Sequence, residues 1–148
     1  MPFYRPFLNT LRDFGGPVAY KMDQNLTIEN GSIVAVSNTG ANQGYAVIPS
    51  NGLLNAYVVG VCVDGGQTNG ATRGATSVTC SPGYFPFANS GSNPCSQATV
   101  GAKVYAADGG TISTASGDGP LAGTLRAYNP DDPHGLPCYV EITGAPRA

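Results

Sequence analysis

From Val18 onward the chain runs in short stretches of β-branched and aromatic residues, broken by Gly, Pro, Asn and Asp. That punctuation predicts an all-β domain: a compact β-barrel or β-sandwich of short antiparallel strands joined by long loops. The candidate strands are 18–21, 26–28, 33–37, 44–48, 55–64, 75–79, 84–87, 103–106, 111–114, 124–128 and 138–143, of which about nine or ten are expected to form. Asn30-Gly31 lies between Leu26-Thr27-Ile28 and Ile33-Val34-Ala35-Val36. It is the best hairpin signal, because both central residues of a type I′ turn need positive φ. Asn51-Gly52 and Asp108-Gly109-Gly110 read the same way.

Tyr57, Val59, Val61 and Val63 alternate with Val58, Gly60 and Cys62, which are themselves small or apolar. A strand with two such faces is expected to be buried on both sides and to lie at the centre of its sheet. Lys103-Val104-Tyr105-Ala106 and Tyr139-Val140-Glu141-Ile142 instead turn one face to the core and one to solvent. Segments 65–73 and 89–94 are polar and read as loops long enough to carry contacts.

Residues 1–16 follow a different pattern. Phe3, Tyr4, Phe7, Leu8, Leu11 and Phe14 place much large apolar surface on a short segment broken by Pro2 and Pro6, which favours extended backbone at its start. Gly15-Gly16-Pro17 then divides this N-terminal arm, 1–16, from a β domain spanning 17–148. The arm has two readings: it folds back over one end of its own domain, or it reaches a neighbouring subunit and buries its aromatic anchors there.

Composition narrows the field. The 148 residues fit a single domain. Charged residues are 11% of the chain, against about 25% in an ordinary soluble domain, while 21 Gly and 12 Pro make it rich in turns. Net charge is −2 with no basic run, so the electrostatic footprint of a nucleic-acid binder is missing. The longest apolar stretch, around 57–63, falls far short of the ~20 residues of a membrane-spanning helix. The first residues lack the basic start and apolar core of a secretory signal, which points to synthesis in the cytosol.

Candidate chemistry is sparse. The four cysteines, Cys62, Cys80, Cys95 and Cys138, are spaced without the short pairs of a zinc site. They stay free or pair in one of three connectivities. The single histidine, His134, lies in a proline-flanked loop beside Asp131 and Asp132, which suits an exposed loop, with a hydrolase or a bound hard cation as the sharper alternatives. The sequence has no G-x-S-x-G elbow, no H-E-x-x-H and no phosphate-binding G-x-x-x-x-G-K-[ST] loop. Gly66, Gly70 and Gly74 are not followed by a helical pattern, so they do not read as a dinucleotide site. No catalytic residue, metal or cofactor is expected.

The run Val100-Gly101-Ala102-Lys103-Val104-Tyr105-Ala106-Ala107-Asp108-Gly109-Gly110-Thr111-Ile112-Ser113, then Leu121-Ala122-Gly123-Thr124-Leu125 and Tyr139-Val140-Glu141-Ile142, resembles the capsid decoration (cement) proteins of tailed bacteriophages. Ala56-Tyr57-Val58-Val59-Gly60-Val61-Cys62 looks like that family's central strand, and Gly16-Pro17-Val18-Ala19 like its early one. The resemblance covers roughly residues 16–143 and rests on the order of small, β-prone motifs. It implies a homotrimeric, non-enzymatic virion protein that is assembled in the host cytoplasm. Such a protein binds the major capsid protein on the outer shell and holds adjacent capsomers together, with neither nucleic acid nor membrane as partner. Phe3, Tyr4, Phe7, Leu8 and Leu11 are then the candidate capsid or subunit anchors. The aromatic arm, the four cysteines and a long loop at 129–135 depart from the family pattern. The alternative is a carbohydrate-binding β module of a phage head or tail fibre, with Tyr84 and Tyr128 beside polar loops as sugar-stacking candidates.

Overall fold

The computed structural model describes residues 16–144. The architecture is all-β, with 46% of residues in strands and, among the described residues, two 3-10 turns, Gln97–Thr99 and Ser116–Asp118. The strands are β1 (Val18–Lys21), β2 (Leu26–Glu29), β3 (Ile33–Ser37), β4 (Ala46–Val47), β5 (Ala56–Cys62), β6 (Gly66–Asn69), β7 (Ser77–Ser81), β8 (Gly83–Asn89), β9 (Lys103–Ala106), β10 (Thr111–Ser113), β11 (Leu121–Tyr128) and β12 (Cys138–Ile142). An antiparallel sheet in the order β1-β7-β5-β3-β4 packs on a closed barrel, β10-β8-β12-β11-β9, and β2 and β6 form a separate ribbon. One barrel pairing, β10 with β8, is parallel.

Two cores lie on opposite sides of β3 and β5. Along β3 the side chains simply alternate: Ile33 and Ala35 enter the first core, which also holds Phe87, Val104, Ile112, Leu125 and Val140 of the barrel. Val34 and Val36 enter the second, beside Met22, Ile28 and Val78. Burying each such aliphatic side chain contributes ~1.5–3 kcal/mol, so both faces of this wall are stabilising.

β5 is central and buried on both faces, as its two apolar faces predict. Its alternation does not hold throughout, however. The register runs Val34↔Gly60 and then Ala35↔Val58, leaving Val59 as the extra residue of a β-bulge. Beyond the bulge the phase reverses, so Tyr57, Val59 and Cys62 face the second core while Val58 and Val61 face the first. Val63 lies past the strand and is exposed.

The Asn30-Gly31 hairpin does not form. β2 pairs with β6, and β3 with β4 and β5. Gly31 has φ 85° but Asn30 does not share a positive φ, and the Ser32 N–H donates to Glu29 O at 3.1 Å. This is the geometry of a type II turn, which carries the chain from one sheet into the next instead of folding it back. Asn51-Gly52 makes a similar turn, with Gly52 at φ 80° and Leu53 N–H donating to Ser50 O at 3.0 Å. Asp108-Gly109-Gly110 does close an antiparallel pair, β9 with β10. β6 falls inside the segment read as a polar loop. It is held by ladder bonds to β2 and by the Thr27–Thr68 hydroxyl pair at 3.0 Å, with no apolar residue of its own.

Candidate interaction surface

β1 is an end strand of the five-stranded sheet and pairs with β7; the residue after it, Met22, bridges Ala46 of β4, so the edge is open at the other end, where Val18 is exposed. The ladder with β7 ends at Val18↔Cys80, two residues from Gly16 along one strand and two from Pro82 along the other. Gly144 lies at the same corner, since a Cβ on it would stand 3.7 Å from Pro82 Cβ. Pro82 is where the chain leaves β7 and enters the barrel through β8.

A groove of about 340 Å³ opens at the same place. It is lined by Pro82, Gly83 and Tyr84, by Arg126 on β11, and by Glu141, Ile142 and Thr143 at the end of β12. Tyr84 is directly opposite Glu141 in the ladder and is 57% exposed. The Arg126 Nε–Glu141 Oε1 pair, 2.9 Å apart, is open to solvent on both sides and contributes ~1 kcal/mol at most.

Tyr84 is positioned by a relay that begins in the 129–135 loop. Its ring meets Tyr139 edge-on, with centroids 6.1 Å apart and planes inclined at 63°, an arrangement favoured by the ring quadrupoles. The Tyr139 hydroxyl donates to Asp132 Oδ1 at 2.8 Å. Asp132 Oδ2 accepts the His134 and Leu136 backbone N–H groups, each at 3.0 Å. The Leu136 N–H and the Tyr139 hydroxyl are the main groups holding the Asp132 carboxyl below the usual range, and the same hydroxyl bond pushes the Tyr139 phenol up. Thus Asp132 organises its loop and fixes an aromatic ring, while Asp131 and the His134 side chain are exposed. Among the described residues, no three His, Cys, Asp or Glu side chains cluster to hold a metal.

The proposed anchors Phe3, Tyr4, Phe7, Leu8 and Leu11 lie outside the described residues. Of the two sugar-stacking candidates, Tyr84 is on the surface as read, whereas Tyr128 is half-buried and packs against the first core. The groove and the Tyr84–Tyr139–Asp132 relay were not read from the sequence. The signal for them was the outward set Tyr139 and Glu141 on β12, whose partners on β8 become known only with the register. Polar order elsewhere is structural. Arg73 Nε lies 2.7 Å from Asp23 Oδ1, and buried Asn69 donates to the carbonyls of Met22, Asp23 and Thr72 at 3.3, 2.9 and 3.0 Å. Among the described residues no helix is long and apolar enough to cross a membrane. Compared with known proteins, the chain matches no family model, no curated protein and no solved structure.

Proposed function

We propose that the protein is a structural virion component, a decoration or cement protein that binds the outer surface of a tailed-phage head as a trimer and ties adjacent capsomers together. The observation that carries this reading is the joining of an aromatic-rich N-terminal segment to an edge strand beside an open apolar groove. Edge strands and apolar concavities are the surfaces through which β domains pair with other chains. The low charge and the closed barrel support it as well, since they suit a rigid adhesive subunit. Three copies acting together turn modest single contacts into durable attachment.

Two measurements test it. Light scattering is expected to give about three times the 15.1 kDa chain mass. Co-sedimentation with shells of the cognate major capsid protein is expected to retain the full chain and to lose a variant lacking residues 1–14. A full chain that leaves those shells bare refutes the reading; a bound truncated variant moves the anchors from Phe3, Tyr4, Phe7, Leu8 and Leu11 to the β domain.

The exposed Tyr84 ring beside Arg126 and Glu141 supports a second reading, a carbohydrate-binding module in which Tyr84 stacks on a pyranose. A glycan array tests it with Tyr84→Ala as the control, and equal signals from both proteins exclude Tyr84 as the platform.

A further inference from the structure

We propose that the fold accepts two disulfides in a single connectivity, Cys62–Cys80 and Cys95–Cys138, and takes both when the chain folds in the presence of a small-molecule disulfide. All four thiols are free and buried in the structure, and four cysteines allow three pairings. The geometry selects one of them.

Cys62 on β5 and Cys80 on β7 are direct Cα partners. The Cys62 N–H donates to Ser32 O and its carbonyl accepts from Gly31 N–H, both at 2.9 Å, on the side away from β7. The next residue, Val63, donates to Thr79 O at 3.0 Å. Cys62 and Cys80 therefore occupy a non-hydrogen-bonded site of the antiparallel ladder, where Cα atoms approach to about 4.5 Å. That lies within the disulfide window of about 4.4–6.8 Å, and both side chains enter the second core.

Cys95 and Cys138 are both buried in the first core; Cys138 is the ladder partner of Phe87 on β8, and Cys95 is hydrogen-bonded to Asn89, two residues further along that strand. Asn89 holds Cys95 in place: its Oδ1 accepts from Cys95 N–H at 2.7 Å and its Nδ2 donates to Cys95 O at 3.0 Å. The two pairs belong to cores on opposite sides of the β3–β5 wall. The other two connectivities each need a bond across that wall, and so need the fold to open.

Each bridge lands where backbone pairing is thin. β5 and β7 share only two register pairs, and Cys95 lies between β8 and β9, outside any strand. Formation follows thiol–disulfide exchange. One cysteine thiolate attacks a sulfur of the small disulfide and releases one thiol. The second cysteine thiolate then attacks the mixed disulfide and releases the other. Over both steps the S–S bond of the small disulfide breaks and a protein S–S bond forms, and the two protein S–H protons pass to the two leaving thiolates, so the small disulfide is reduced to two thiols. All four thiols are buried in the closed fold, and burial pushes the Cys80 thiol up to about 12, so a small disulfide reaches the cysteines, and the bridges form, during folding.

The test is refolding in a buffer of reduced and oxidised glutathione, quenching with iodoacetamide in denaturant so that buried free thiols are also alkylated, and mapping without reductant. Cys80 and Cys95 share one tryptic peptide because no Lys or Arg lies between Arg73 and Lys103, so chymotrypsin is added to cut after Tyr84 and Phe87. The expected product takes no iodoacetamide, is about 2 Da lighter per bridge than the reduced chain, and gives only Cys62–Cys80 and Cys95–Cys138 peptides. The Cys62→Ala/Cys80→Ala and Cys95→Ala/Cys138→Ala variants, each expected to close its remaining pair, carry the test if the doubly bridged chain aggregates. A folded product with four alkylated thiols, or any linkage of Cys62 or Cys80 to Cys95 or Cys138, overturns the proposal.

Discussion

Replacing Gly60 by alanine strikes the point where the strand shared by both cores changes phase. A Cβ at Gly60 would stand 2.7 Å from Ser81 O, 2.8 Å from Ser81 C and 3.1 Å from Pro82 N. All three are backbone atoms, so no rotamer change relieves the contact and β7 itself must shift outward. It would do so at the joint where β5 and β7 share only Val61↔Ser81 and Cys62↔Cys80. Overpacking of this kind costs ~1–3 kcal/mol, and each ladder hydrogen bond stretched or lost adds ~0.5–1.5 kcal/mol. Gly60→Ala is therefore expected to cost about 3 kcal/mol. Unfolding entropy near 2.1 cal/mol/K per residue, over this chain length, turns that into a Tm lower by roughly 10 °C. Scanning calorimetry with circular dichroism measures it. Gly117→Ala is the control, since nothing lies within 4 Å of its Cβ position, and it is expected to stay within ~0.5 kcal/mol of the parent. A Gly60→Ala protein that melts with the control would refute the claim that a tight β5–β7 contact holds the bulge.

Asn69→Ala removes the amide that ties the Met22, Asp23 and Thr72 carbonyls together; a loss of ~1–3 kcal/mol is expected from urea unfolding, and an unchanged midpoint would show that the clamp is idle. Acid is expected to destabilise the fold through depressed carboxyls. Burial pushes Asp23 and Asp64 up, but hydrogen bonds from Arg73 and Asn42 to Asp23, and from Thr79 N–H and the Cys62 thiol to Asp64, outweigh it and hold both below the usual range. The unfolded chain thus binds protons first, so this stability is complete above about pH 4–5 and lost as the pH falls through the native values. A Tm that stays level down to about pH 2.5 would contradict that linkage. Tyr139→Phe removes the donor to Asp132 Oδ1 and is expected to cost ~0.5–1.5 kcal/mol, with faster amide exchange at Leu136; unchanged exchange there would separate the ring from the loop.

Strands with an apolar periodicity were legible from the sequence. β1, β3 and β9 begin and end where the residue pattern places them, and β5 is central because both of its faces are apolar. β6 was not legible: Gly66-Gln67-Thr68-Asn69 owes its extended form to the ladder with β2, a non-local cause that leaves no local pattern. The phase change in β5 was hidden for a related reason. Gly60 reads as a small residue in a strand, and only the approach of Ser81 and Pro82 shows why nothing larger fits. Asn30-Gly31 has the right chemistry for a turn, but residue type does not decide whether the strands on either side rejoin or part. The groove at Pro82 needed three strand ends that are distant in sequence, whereas the aromatic weight of residues 1–16 was plain from composition.

The wall formed by β3 and β5 sets how the molecule can come apart. Val34 and Ala35 are neighbours in the chain yet belong to different cores, so a label on one reports on the ribbon side and a label on the other on the barrel side. Neither half can melt alone without baring to water the apolar face of this wall that it covers, the kind of surface on which chains aggregate. Folding is thereby pressed toward a single all-or-none event, and adjacent probes at Val34 and Ala35 are expected to report one midpoint.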